Sequence, residues 1–142
     1  FETDGLTTID LFEDEFQFAC HADHPLATRK AVAEKYLVDQ PLLLLEDGHC
    51  LRDHALSACR IPEDRFRPLF EATSIHTLVQ MVMSGLGVTL LPQLAIDANI
   101  TAGSNIELVP LSTKASRTIG MVWRQSSTRV QEFELLANAF RK

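Results

Sequence analysis

Leu42-Leu43-Leu44-Leu45-Glu46-Asp47-Gly48-His49-Cys50-Leu51-Arg52-Asp53 is the stretch from which the fold is read. Four apolar residues in a row are too few for a helix and suit a strand covered on both faces, the pattern of a parallel sheet. Glu46-Asp47-Gly48 supplies turn chemistry and a capping residue. From about His49 to Cys59 the composition is helical, until Ile61-Pro62 stops it. A strand, a tight turn and a helix start thus follow one another. In open α/β sheets, functional groups gather where carboxyl ends of strands meet amino ends of helices. Cys50 occupies such a junction.

Outward from this unit, strands and helices alternate. Ile9 to His21 reads as a long strand with Phe16, Phe18 and Cys20 alternating, broken by Asp23-His24-Pro25. Thr28 to Val38 has helical composition and ends before Gln40-Pro41. Phe66 to Ala72 is expected as a strand. Thr73-Ser74 then caps a helix whose Ile75, Leu78, Val79, Val82 and Met83 fall at helical spacing, and Gly85 ends it. Val88 to Leu91, Ile106 to Leu111 and Thr118 to Trp123 read as strands, and Pro92 to Ala98 as a short helix. Thr128 opens an amphipathic helix carrying Val130, Phe133, Leu136, Ala137 and Phe140. This alternation predicts an α/β fold with a mostly parallel sheet flanked by helices.

With 142 residues, 46% of them hydrophobic, the chain can build a core without metal or disulfide staples. A net charge of -6 and a pI of about 5.3 argue against a nucleic-acid surface, which needs clustered Lys and Arg. No run reaches the roughly 18 apolar residues that span a bilayer, and no basic-then-apolar leader opens the sequence, so a cytoplasmic location and no membrane partner are expected. Gly85-Leu86-Gly87 lacks the third glycine of a dinucleotide fingerprint and follows a helix. With no Walker motif or nucleophile elbow either, no cofactor is expected.

The three cysteines are an odd number, which does not make a secreted disulfide framework; in a reducing compartment such thiols are inert, metal-bound or redox-active. A thiol at the start of a helix faces unpaired backbone N–H groups, which favour the thiolate, the form that attacks a peroxide oxygen. His49 and Arg52 are placed to add charge or hydrogen bonds. Asp53, His49, Thr73 or a water could protonate the leaving hydroxide. Across a helix, Cys59 would lie about 13 Å from Cys50. A disulfide holds Cα atoms within about 4.4 to 6.8 Å. The pair therefore has two incompatible states, a helix with two thiols or a refolded loop with one disulfide, the latter gaining about 2.5 kcal/mol from loop closure.

Other readings of these residues stand beside that one. A cysteine in a strand or helix is usually a small buried hydrophobe, the role expected of Cys20. Cys20, His21, His24, His49, Cys50 and His54 are zinc-ligand types, but no Cys-x-x-Cys pair accompanies them and no metal is expected. A thiol peroxidase is disfavoured by the absence of a Cys-x-x-Cys or peroxiredoxin-like motif. His76 is expected on the surface and Trp123 in packing.

Leu43 through Asp53, followed by Cys59, resembles the sensor segment of the peroxide-responsive branch of the LysR-type transcription regulators. The likeness continues in Phe70-Glu71-Ala72-Thr73-Ser74 with Thr77-Leu78, in Ser84-Gly85-Leu86-Gly87-Val88-Thr89-Leu90-Leu91-Pro92, and in Arg117-Thr118-Ile119-Gly120-Met121-Val122. The glycine-leucine-proline block is common to LysR-type effector domains. Gly-His-Cys-Leu-Arg-Asp with a second Cys marks the peroxide-sensing branch. The resemblance implies a periplasmic-binding-protein-like type II effector fold. Residues 1–142 would be a regulatory, redox-sensing fragment, mainly subdomain II with an incomplete subdomain I, and without the DNA-binding winged helix-turn-helix.

It also implies that Cys50 is the peroxidatic and Cys59 the resolving cysteine, joined by a reversible disulfide. Gly48, His49, Leu51, Arg52, Asp53 and Thr73 would line the peroxide pocket. The implied partners are hydrogen peroxide, further copies in a homodimer or homotetramer, DNA through the N-terminal domain, and a glutaredoxin- or thioredoxin-type reductant. Peroxide would be consumed stoichiometrically by a sensor and not turned over by an enzyme. The competing reading within the same family is a small-ligand effector domain with incidental cysteines. Cys20 matches no position of the pattern.

Overall fold

The computed structural model describes residues 4–46, 48–62, 64 and 70–141. In chain order the elements are β1 (Leu6–His21), α1 (Glu34–Leu37), β2 (Leu44–Leu45), α2 (Cys50–Ala58), β3 (Glu71–Ala72), α3 (Ile75–Met83), β4 (Thr89–Pro92), α4 (Gln93–Asp97), β5 (Ile106–Pro110), β6 (Ser116–Arg124) and α5 (Val130–Phe140). They fall into two compact units, Glu15–Ser116 and Phe1–Asp14 with Arg117–Lys142.

In the larger unit, alternation along β1 sends Phe16, Phe18 and Cys20 into one apolar cluster and Ala19 into another with Val79 and Leu91. Both faces of this strand are therefore covered. β4 and β5 flank it, each antiparallel, with Leu90 and Val109 opposite Phe18. β2 and β3 run parallel, Leu44 opposite Glu71 and Leu45 opposite Ala72. Parallel bridges join Leu42 to Val88 and Val32 to Leu111. The α/β character read from the sequence is present, and the parallel pairing lies around the leucine run that suggested it. The directions are mixed because the parallel rule governs strands joined by a single helical crossover. β1 is not joined to either neighbour in that way.

Three expected elements are markedly shorter. Of the strand expected from Leu42 to Leu45 only Leu44–Leu45 is formed, Leu42 making an isolated bridge to Val88. Only Glu34–Leu37 of the span from Thr28 to Val38 is helical. The backbone of Val32 is taken by tertiary pairing instead: its N–H donates to Pro110 O at 2.9 Å and its carbonyl accepts from Ser112 N at 2.8 Å. Of the strand expected from Phe66 to Ala72, Glu71–Ala72 is formed; residues 65–69 lie outside the described residues. Gly87 is required by contact: a Cβ there would stand 2.2 Å from Pro41 O and 2.9 Å from Leu43 Cγ. That closeness lets Val88 N donate to Pro41 O at 3.1 Å and Leu43 N to Val88 O at 2.8 Å. The buried Thr89 hydroxyl adds a bond to Leu43 O at 2.7 Å.

In the smaller unit β6 pairs with β1. Buried Trp123 packs on Phe133 of α5 with ring centroids 5.4 Å apart. One oxygen of the buried Asp14 carboxylate accepts from Nε and Nη2 of Arg117, each at 2.9 Å. Among the described residues no helix is long and apolar enough to cross a membrane.

Candidate functional site

Because β2 and β3 are parallel neighbours, their carboxyl ends lie side by side, and Glu46 N extends the pairing by donating to Ala72 O at 3.0 Å. The chain then turns at Gly48, whose φ of +91° belongs to the left-handed region. Nothing lies within 4 Å of a Cβ placed there, so backbone conformation and not space selects glycine. His49 is the N-cap residue of α2 but its side chain caps nothing. Its N–H donates to Glu46 O at 3.3 Å, and Nδ1 lies 3.2 Å from the same oxygen. Cys50 is the first helical residue and is exposed. After β3 comes exposed Thr73, then Ser74, whose hydroxyl accepts from Thr77 N at 3.2 Å and caps α3. The starts of two helices thus follow two adjacent parallel strands.

The residues after Cys50 separate by face. Leu51 is half-buried and packs against two apolar clusters. Arg52 is only 8% exposed; its Nη1 donates to Leu45 O at 3.3 Å and to the Glu71 carboxylate at 2.5 Å. Asp53 and His54 are exposed. The Arg52 guanidinium is therefore engaged with the β2–β3 pair. Glu71 is the site-region residue that sequence reasoning missed. A charged residue inside a short strand was visible, but its partner lies 19 positions away on another element.

At the far end of α2, Cys59 is the C-cap residue and fully buried in the cluster that holds Leu37, Leu42, Leu44 and Leu56. Burial, aided by the negative charge of Glu34, pushes its thiol up to about 12. The helix ends in a Schellman arrangement: Arg60 N donates to Ser57 O at 3.1 Å and Ile61 N to Leu56 O at 2.9 Å. Arg60 takes the left-handed position, φ 52°. The same pattern closes α3 at Gly85 (φ 74°) and α4 at Asn99 (φ 60°). All three cysteines are free thiols. Nine helical residues hold Cys50 and Cys59 about 13 Å apart, well beyond disulfide reach.

Cys20 is buried in β1, and burial, with Glu107 adding to it, raises its thiol to about 11. His21 contacts Asn105 at 2.5 Å and His24 contacts Gln40 at 3.1 Å. Among the described residues no group of three or more His, Cys, Asp or Glu is arranged to hold a metal ion.

The family described as the LysR substrate binding domain matches residues 1–142. Over 140 residues, 99% of this chain, the sequence is 38% identical to the DNA-binding transcriptional dual regulator OxyR of Escherichia coli (strain K12). The match covers 46% of that relative, so the chain spans about half its length. The fold superposes on the sulfate-bound regulatory domain of the OxyR2 E204G mutant from Vibrio vulnificus with a TM-score of 0.86 and 39% identity, covering 99% of this chain and 66% of that one. It also superposes on the H2O2-bound C206S mutant of Corynebacterium glutamicum OxyR, with a TM-score of 0.86, 35% identity, and coverage of 99% and 45%. The chain therefore belongs to the LysR substrate-binding domain family, and OxyR regulatory domains are among its structural relatives.

Proposed function

We propose that this chain is the hydrogen peroxide-sensing regulatory segment of a LysR-type transcription regulator, with Cys50 as the peroxidatic and Cys59 as the resolving thiol. The observation that carries the reading is the placement of the two thiols: Cys50 exposed on the first turn of α2, Cys59 buried at its last, both reduced. The C. glutamicum OxyR mutant solved with H2O2 bound supports peroxide as the ligand class. In the first step the Cys50 thiolate attacks one peroxide oxygen. An S–O bond forms as the O–O bond breaks, sulfur gives up two electrons, and the leaving hydroxide takes a proton to become water. Gly48, His49, Leu51, Arg52, Asp53 and Thr73 are the residues proposed to shape this pocket.

In the second step the Cys59 sulfur attacks the sulfenic acid of Cys50, an S–S bond forms and a second water leaves. Helical α2 forbids this, so the segment from Cys50 to Cys59 must refold. That refolding is the signal, biasing contacts in a homodimer or homotetramer that meets DNA through the N-terminal domain. A glutaredoxin- or thioredoxin-type reductant resets the thiols, and peroxide is consumed stoichiometrically. The test is intact mass and thiol labelling after one equivalent of peroxide. Loss of two hydrogens and of both labels is expected, abolished in Cys50→Ser and replaced by a labelable sulfenic acid in Cys59→Ser. Retention of both thiols would overturn the reading in favour of a small-ligand effector domain. That domain would show a metabolite-induced rise in Tm independent of Cys50.

A further inference from the structure

We infer that Glu71 is a positioning residue: through Arg52 it pins the first turn of α2 to the β2–β3 pair, so that the helix opens from its Cys59 end and Cys59 is the thiol that travels. The redox half of this inference rests on the peroxide-sensing reading above; the pinning does not. Strand register brings the contact together. Glu71 lies opposite Leu44, so the Glu71 carboxylate and the Leu45 carbonyl come from adjacent strands, and one nearly buried guanidinium reaches both. A charge-assisted bond of this kind is stronger than a neutral one. Withdrawing one partner leaves the guanidinium, only 8% exposed, without its counter-charge; this is costly, though the 34% exposure of the Glu71 side chain tempers the cost. The first turn of α2 cannot lift away without breaking both bonds.

The other end is held differently. Cys59, Arg60 and Ile61 are retained by three backbone bonds, to Ala55 O at 3.1 Å, Ser57 O at 3.1 Å and Leu56 O at 2.9 Å. Arg60 sits in the left-handed region where a side chain is disfavoured, and opening releases that strain. What resists opening there is the burial of the small Cys59 side chain and of Ile61. That burial is non-directional and is given up gradually as the end opens, whereas the guanidinium is held by two directed acceptors that must break for the first turn to lift. The buried thiol, raised to about 12, stays protonated and unreactive until this end opens. The exposed Cys50 meanwhile stays fixed on its turn. The resolving step is then an approach of Cys59 toward a stationary sulfenic acid.

Residue-resolved hydrogen exchange on the thiol form tests this. The amides of Asp53, His54 and Ala55 report the first turn, because helical geometry gives them acceptors at His49, Cys50 and Leu51. Those of Cys59, Arg60 and Ile61 report the far end. The far-end amides should exchange at least tenfold faster in the wild type. In Glu71→Gln the first-turn amides should speed up until the gap falls below threefold, with the far end unchanged, and Glu71→Asp should restore part of it. First-turn amides as fast as the far end in the wild type would overturn the inference. So would an equal acceleration of both sets in Glu71→Gln, which a merely structural role predicts. If Glu71→Gln does not fold, the wild-type order and Glu71→Asp still decide. A peroxide-treated protein that keeps both thiols while the exchange order holds would sink only the sensor reading. A Cys50–Cys59 disulfide formed with the order reversed would sink only the pinning.

Discussion

Replacing Arg60 by glycine should stabilise the thiol form. Three helices of this chain end with the same backbone pattern, and their left-handed residues are Gly85, Asn99 and Arg60. Only the last carries a long side chain at a position where L-residues lose about 1 to 2 kcal/mol. Against the relief stand a few tenths of a kcal/mol for removing a cation near a helix C-terminus and about 0.5 kcal/mol for the greater freedom of glycine in the unfolded chain. The net gain is roughly 0.5 to 1 kcal/mol. With an unfolding entropy of about 2.1 cal/mol/K per residue over 142 residues, that raises Tm by about 2 to 3 °C. Calorimetry and urea unfolding at an unchanged m-value measure it. Arg60→Lys keeps charge and conformation and should move Tm by less than about 1 °C. Gly85→Ala is the mirror experiment. Its Cβ would meet nothing within 4 Å, so the loss of about 1 kcal/mol is backbone strain alone. Because the gain belongs to the helical state, alkylation of Cys59 through local opening should slow by about twofold to fivefold. A Tm that falls in Arg60→Gly, or an Arg60→Lys shift equal to that of Arg60→Gly, would show that the left-handed backbone at Arg60 carries no strain.

Four further outcomes are expected. Gly87→Ala should cost about 3 kcal/mol, or about 10 °C, because its methyl would meet the Pro41 carbonyl at 2.2 Å and a backbone oxygen has nowhere to go; thermal unfolding checks it. Asp14→Asn should lose about 2 kcal/mol, since it removes the buried partner of Arg117, and loss of urea resistance would show it. At neutral pH one thiol, Cys50, should react with a disulfide reagent within the mixing time, Cys59 more slowly through local opening of α2, and Cys20 only on unfolding. In alkali the unfolded chain releases the Cys59 proton near pH 9 while the folded one holds it to about 12. The stability from that burial is therefore complete below pH 9 and is lost as pH climbs toward 12. Cys59→Ala should flatten the fall in unfolding free energy measured between pH 8 and 10.5.

The junction that carries the thiols was legible because its signals are local. A four-leucine run, a glycine able to take positive φ and a helical composition need no distant partner to be read, and Cys50 opens α2 as that pattern implies. Ser74 and Gly85 bound α3 for the same reason. The α/β class followed from the alternation of these units. What stayed hidden depends on contacts far along the chain. Val32 lies in a stretch of helical composition, yet its backbone is claimed by residues 110 and 112. β1 takes its direction from β4 and β5, and no sequence-local rule sets that. The engagement of Arg52 with Glu71 was invisible for the same cause: the two residues lie 19 positions apart on different elements. The burial of Cys59 likewise comes from α1, β2 and α2 closing over it.

A helix that keeps two reacting thiols apart also sets a clock. On the proposed chemistry the first oxidation scales with peroxide concentration, whereas release of Cys59 proceeds at the opening rate of α2, which peroxide does not touch. The response therefore has a ceiling speed. Below the dose at which the two rates match, every oxidised Cys50 is captured. Above it, unresolved sulfenic acid accumulates and a second peroxide molecule can drive it to the irreversible sulfinic form. The stability of nine helical residues thus fixes the upper end of the concentration range over which such a protein can report and still be reset.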